Sequence, residues 1–306
     1  MKSIARLALM STVSTAAAIC FLPGSASAQA TSCSQTGDTI TCVDGTTTVL
    51  TATASAGTVT VPGPGLVTLN AVAPSTTTYT ADGAIGTTGM AGVRLTSTAG
   101  PLSFTPAGTT QPVPISTTGG VGANGLTINT AGQAATVTVG NISTSGATSP
   151  GVSVVGGTDL TLRTGDVTTT GAGSRGINAI NQTGTINITA GNITTTDRAI
   201  SANTAVTANT TIVAGNISTG ASGILGNGNN VTITTGNVTT TNGFGVIGQA
   251  LVGTTGGITI RTGTVSTVNG AGIGGLVQNL VGGVDIGGCS NVTSVSPINA
   301  AVYAQN

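Results

Sequence analysis

Along this chain, aliphatic residues alternate with Thr, Ser and Asn in short runs that Gly, Asn or Pro interrupt. Leu160-Thr161-Leu162-Arg163, Ile186-Asn187-Ile188-Thr189 and Ile258-Thr259-Ile260-Arg261 are examples. A period of two sends successive side chains to opposite faces of a strand. These runs therefore predict strands with Val, Ile and Leu on one face and Thr, Asn and Arg on the other.

A second piece recurs as Gly-[Asn/Asp]-[Ile/Val]-[Ser/Thr]-Thr. It stands at Gly140–Thr144, Gly165–Thr169, Gly191–Thr195, Gly215–Thr219 and Gly236–Thr240, with degraded copies near Ile115, Val265 and Val292. Its central aliphatics fall at 115, 142, 167, 193, 217, 238, 265 and 292, so successive separations are 27, 25, 26, 24, 21, 27 and 27 residues. A third strand-like piece follows each copy: Gly151-Val152-Ser153-Val154, Gly176-Ile177-Asn178-Ala179, Gly223-Ile224-Leu225-Gly226 and Gly245-Val246-Ile247-Gly248. Three short strands per period of 21–27 residues describe the rung of a right-handed parallel β-solenoid, about eight rungs long. Stacked at about 4.8 Å, such rungs align identical residues in ladders. Val and Ile would stack inside. Gly at the corners would supply backbone angles other residues resist, and the Asx residues at 141, 166, 192, 216 and 237 read as a turn ladder.

Before Ile115 the pattern loosens. Thr58-Val59-Thr60-Val61 and Gly65–Leu69 read as strands between Pro-rich turns at Pro62, Pro64 and Pro74. The expected organisation is a signal peptide over 1–28, an N-terminal cap with irregular early rungs over 29–110, and regular solenoid over 111–306, open at its C-terminal end.

Composition agrees with an all-β chain. About one residue in five is Thr, Gly numbers 49, and charged residues make up only 5%. Lys2 and Arg6, the apolar run Leu7–Leu22, and Ala26-Ser27-Ala28 before Gln29 form an export signal with its cleavage site. No other stretch is apolar enough to span a membrane, so no membrane span is expected after cleavage. The mature chain carries five Arg and seven Asp, a balance of 5 − 7 = −2. That gives no basis for neutralising a phosphate backbone, which excludes nucleic acid as an expected partner. Cys33 and Cys42 bracket a Gly-Asp turn, and an oxidising compartment permits a disulfide between them. With no His and no second Cys pair, a metal at these cysteines is not supported. Cys289 is single and reads as a small buried apolar residue.

The signal, the short Cys-containing cap and the Gly-Asn-Ile-Thr-Thr rungs together resemble the passenger region of bacterial autotransporters and related β-helical adhesins. The resemblance implies an exported rod at the cell surface, or in the extracellular medium, that binds host or environmental surface ligands. Such passengers are normally followed by a membrane β-barrel, whose series of roughly ten-residue alternating strands is absent from this sequence. An outer-membrane translocator β-barrel is therefore an expected partner, and the periplasm an alternative location.

Candidate chemistry is sparse. Glycoside hydrolysis needs two carboxylates converging on one substrate. Here Asp166 has Asn at the matching place in four neighbouring rungs, and Asp159 lies in a turn. Arg163 and Arg261 share an outward position four rungs apart, about 19 Å at the rung rise. No catalytic residue and no cofactor is expected. Alternatives are a polysaccharide-binding or polysaccharide-degrading β-helix, and an ice-binding solenoid. The last would use Thr136/Thr138 and Thr232/Thr234, but its second Thr column is interrupted at Arg163, Val213 and Arg261. The loops Thr144–Gly151, Gly171–Arg175 and Gln249–Gly257 differ most between rungs and are the expected recognition sites.

Overall fold

The computed structural model describes residues 92–97, 100–106, 114–251, 255–277, 282–288, 291–294 and 302–305, with eight strands between residues 27 and 88. Among these residues there are strands and turns but no helix. The strands form three sheets of 12, 12 and 9 members, and one rung contributes one strand to each. Ile142–Thr144, Val152–Val155 and Leu160–Arg163 make up one rung, and Val167–Thr169 begins the next. The three sheets are named here the motif sheet, the Gly sheet and the Thr sheet, in that order along the rung. The expected β-solenoid is the observed fold.

The motif sheet has the register that the repeat predicts. Ile115 pairs with Ile142, then Val167, Ile193, Ile217, Val238, Val265 and Val292 in one unbroken column. From Ile115 to Val265 every one of these residues is buried. A one-residue slip would send the whole column to solvent, so burial locks the register. On the Thr sheet, Phe104, Val137, Leu162, Ile188, Ile212, Ile233 and Ile260 form a second buried column. Facing it, the Gly-sheet column runs Leu95, Ile128, Val154, Ala179, Ala202, Gly226, Gly248. Its shrinking side chains make room for the isoleucines opposite. A Cβ at Gly248 would lie 2.7 Å from Ile258 Cγ2.

One expectation about faces is corrected. The last Thr of each motif copy points inward: Thr117, Thr144, Thr169, Thr195, Thr219, Thr240 and Thr267 are all at most 5% exposed. A three-residue strand runs in, out, in, so its third residue shares the aliphatic's face. The buried hydroxyls are satisfied by corner carbonyls, as Thr144 Oγ1 donating to Ser149 O at 2.7 Å and Thr169 Oγ1 to Ser174 O at 3.0 Å.

The expected Asx ladder is present at the corners, but the glycines beside it serve a different purpose from the one expected. Asn141 Oδ1 accepts from Asp166 N at 2.9 Å, and Asp166 Oδ1 from Asn192 N at 2.7 Å. Asn192, Asn216 and Asn237 continue the ladder to Asn216 N, Asn237 N and Thr264 N at 2.8–2.9 Å. The glycine before each Asx is required for room. A Cβ on Gly236 would stand 2.4 Å from Asn216 Oδ1, and its φ is not in the left-handed region. Gly and Asx are thus one device, divided between consecutive rungs.

The early region belongs to the same solenoid with a shorter turn. On the Thr sheet, Thr39 pairs with Thr58 and Thr58 with Thr78, steps of 19 and 20 residues. Among the described residues the motif sheet begins at Ile85–Thr88, and the turns before it show two strands each. At the N-terminal edge Cys33–Thr36 and Thr39–Cys42 form an antiparallel hairpin; Ser27–Ala28, the end of the 1–28 segment expected to be cleaved, runs antiparallel to Leu50–Ala54. The hairpin at that end interrupts the parallel stacking pattern that a second solenoid would extend.

Candidate recognition surface

Each rung presents three outward strips. On the motif sheet, the central Ser/Thr of the motif (Ser116, Ser143, Thr168, Thr194, Ser218, Thr239) runs beside the Asx ladder. Between Asn192, Thr194, Asn216, Ser218, Asn237 and Thr239 lies a shallow groove of about 310 Å³. On the Thr sheet, one outward column reads Thr136, Thr161, Asn187, Thr211, Thr232, Thr259, Asp285. Its neighbour reads Thr138, Arg163, Thr189, Val213, Thr234, Arg261, Gly287 in the same pairings. Arg163 and Arg261 therefore do share a column four rungs apart. Arg261 Nη2 binds Asp285 Oδ2 at 2.5 Å, and this hydrogen bond holds the exposed Asp285 carboxyl below its usual range.

The two aspartates weighed as catalytic candidates are corner acceptors. Asp166 stands in the Asx ladder, and Asp159 Oδ1 accepts from Thr185 N at 2.7 Å in a second one. Asn209 and Asn230 extend that second ladder to Asn230 N and Gly257 N at 3.1 and 3.0 Å. The structure does not bring Asp159 and Asp166 to a common substrate position. Among the described residues no three of His, Cys, Asp and Glu gather as metal ligands. Backbone pairing sets Cys33 directly opposite Cys42, but the side chains of both, and Cys289 altogether, lie outside the described residues.

Of the expected recognition loops, Thr144–Gly151 and Gly171–Arg175 are not irregular. They stack on each other: Thr148 N donates to Ala172 O at 2.9 Å, and Ser149 N to Ser174 Oγ at 3.0 Å. Ser174 is fully buried and its Oγ donates to Gly146 O at 2.9 Å. Thr148 takes φ +48° where the neighbouring turns have Gly122 at +71° and Gly173 at +66°. Gln249 and Ala250 are the end of a strand, and residues 252–254 of the third loop lie outside the described residues.

The turn ridge then steps down. Seven residues separate Thr169 from Ile177, but only four separate Thr195 from Ile200. At this step a charged ledge forms. Arg175 Nε lies 3.3 Å from Asp197 Oδ2, and Arg175 Nη1 donates to Asn178 Oδ1 at 2.9 Å. One rung on, Arg198 extends across Ser222 until its guanidinium carbon sits 5.4 Å from the centre of the Phe244 ring. Arg198 Nη1 reaches Ser201 Oγ at 3.5 Å, and its Nε is buried without a hydrogen-bond partner. Burial, then the neighbouring Arg175, push the Arg198 guanidinium below its usual pKa, and Asp197 only partly offsets them.

Sequence reasoning named Arg175 as a loop end but missed Arg198 and Phe244. The available signal was their shared offset: Arg175-Gly176-Ile177, Arg198-Ala199-Ile200 and Phe244-Gly245-Val246 each stand two residues before a Gly-sheet aliphatic. Of the other aromatics, Phe104 is core, and the side chains of Tyr79 and Tyr303 lie outside the described residues. Comparison with protein-family models, curated proteins and solved structures gives no match to this chain.

Proposed function

We propose that this chain is a non-catalytic, exported solenoid rod that presents side-chain ladders and a turn ridge for recognition at the cell surface, in the manner of an adhesin passenger. The observation that carries the reading is the employment of Asp159 and Asp166. Both spend an oxygen on the backbone of the next rung; Asn does the same in the rungs on either side of Asp166, and at Asn209 and Asn230 further along the Asp159 column. A carboxylate retained for acid–base work would be distinguished from its ladder neighbours; these are interchangeable with a carboxamide. The outward strips are long and repetitive, which suits an extended ligand or surface better than a small substrate. Export rests on the Lys2–Ala28 signal, and a Cys33–Cys42 disulfide would clamp the cap hairpin in the oxidising compartment.

The experiment is protease shaving of intact source cells carrying an epitope between Gln249 and Gly257. Loss of the epitope from intact cells is the expected result. Protection until the outer membrane is opened, with measurable turnover of a polysaccharide by the purified chain, would overturn both the location and the non-catalytic reading.

A further inference from the structure

We propose that the ledge made by Arg175 and Arg198 binds the carboxylate or sulfate groups of an acidic glycan laid along the Gly sheet. The inference rests on the reading of the rod as a displayed recognition surface and specifies its ligand.

Positive charge is not spread evenly over the rod. On the outer face of the Gly sheet the described charged residues are Arg94, Arg175, Arg198 and Asp197, a balance of 3 − 1 = +2. The mature chain as a whole stands at 5 − 7 = −2. The outer Thr-sheet face carries Arg163 and Arg261 four rungs apart against Asp285, a balance of 2 − 1 = +1, whereas Arg175 and Arg198 stand in adjoining rungs, so a polyanion meets the denser positive charge at the ledge. Within the ledge Arg175 pairs with Asp197, whose carboxylate is a third exposed, while Arg198 one rung on makes its side-chain hydrogen bond to Ser201 and not to a carboxylate. Arg175 keeps 42% of its side chain in solvent, so its remaining donors are open to a ligand. Arg198 is half-buried with its guanidinium carbon 5.4 Å from the Phe244 ring centre and its Nε enclosed, so the Nη groups are the donors left to a ligand. Planar guanidinium forks suit carboxylate and sulfate oxygens, and a fork already fixed by packing loses little freedom on binding.

The groups beside the ledge point to a sugar polymer and not to a free anion. Arg94, Thr127, Ser153 and Asn178 form one outward column, each paired to the next, which continues to Ser201, buried beside Arg198. Donors and acceptors thus recur at the rung rise, about 4.8 Å, a repeat comparable to the length of one sugar ring. A glycan running along this column meets Arg94 at one end, hydroxyl and amide groups between, and the Arg175/Arg198 ledge at the other.

The test uses the purified mature chain and two probes, polygalacturonate for carboxylate and heparin for sulfate, by calorimetry at two salt concentrations. Salt-sensitive binding of either probe is expected, and which one binds identifies the anionic group. R198Q and, independently, R175Q should weaken binding by about tenfold or more, as loss of a charge-assisted bidentate contact does. R163Q, on the Thr sheet, should leave it unchanged. Circular dichroism and urea midpoints show that the variants fold; R175Q carries the test if R198Q does not. Absence of binding to both probes, equal weakening by R163Q, or equal binding of single-stranded DNA would overturn the proposal. Cell shaving separates the two readings. An accessible rod that ignores both probes sinks the ledge alone, while a protected rod that binds them sinks the surface display alone.

Discussion

Gly236 and Asn216 provide a direct test of the corner device. Replacing Gly236 by Ala sets a Cβ 2.4 Å from Asn216 Oδ1, while the next contacts are at 3.3 Å. The cheapest relief is to turn the Asn216 amide away, which gives up its bond to Asn237 N at 2.9 Å. That loss costs about 1 kcal/mol at an exposed corner, and the displaced rotamer about another 0.5–1 kcal/mol. Against this, Ala stiffens the unfolded chain and returns about 0.5 kcal/mol. G236A should therefore destabilise by about 1 kcal/mol. In an N216A background the obstacle is already gone, and the same substitution should stabilise by about 0.5 kcal/mol. The coupling between the two sites is then about 1.5 kcal/mol, measurable from urea midpoints of the four proteins provided their slopes agree. If G236A shifts stability equally in both backgrounds, within about 0.5 kcal/mol, the glycine is not there to make room for the amide.

Four further outcomes follow from the same geometry. T144V should cost about 1–3 kcal/mol in urea unfolding, because the buried Ser149 carbonyl loses its 2.7 Å donor and the methyl that replaces it supplies none. T148G should stabilise by about 0.5–1 kcal/mol, since a Thr at φ +48° carries left-handed strain that Gly122 and Gly173 avoid in the adjoining turns. Asp285 should titrate in NMR below an ordinary aspartate and return to the ordinary range in R261Q, whose lost hydrogen bond is the main cause of the depression. A folded pKa below the unfolded one means that this contribution is present at neutral pH and is lost as pH falls through the folded value. With no His and no Glu in the chain, unfolding midpoints should otherwise be flat between about pH 5 and pH 8, and a slope there would mean that an unrecognised group titrates on unfolding.

Much of the architecture was legible because its signal is local and repeated. The eight aliphatics from Ile115 to Val292 could be aligned by eye, and every one pairs with its neighbour in the expected register. The inward Thr ladder was not legible. Thr and Val have nearly the same shape, and only the corner carbonyls, placed by the fold, decide that the hydroxyl can be buried. The reason for the corner glycines was hidden for a related cause: the obstructing oxygen belongs to a residue 20 to 26 positions earlier. Shortened early turns escaped because a repeat search tuned to three strands passes over two-strand turns. The ledge depended on a step in loop length and on Ser222 being small enough for Arg198 to span it, neither of which marks the sequence by itself.

The Asx ladder has a direction. Each side-chain oxygen accepts the N–H of the following rung, so Asn192 Oδ1 is completed by Asn216 and never by Asp166. A finished rung thus offers an open acceptor only to chain that has not yet arrived. A polypeptide delivered N-terminus first would find its template already in place at every stage, and its advance through a pore would be rectified by capture on the far side. Folding order should leave its trace in pulsed hydrogen exchange: protection of the Asn192 N–H should precede that of Asn216, and the reverse order would show that the ladder forms without regard to its polarity.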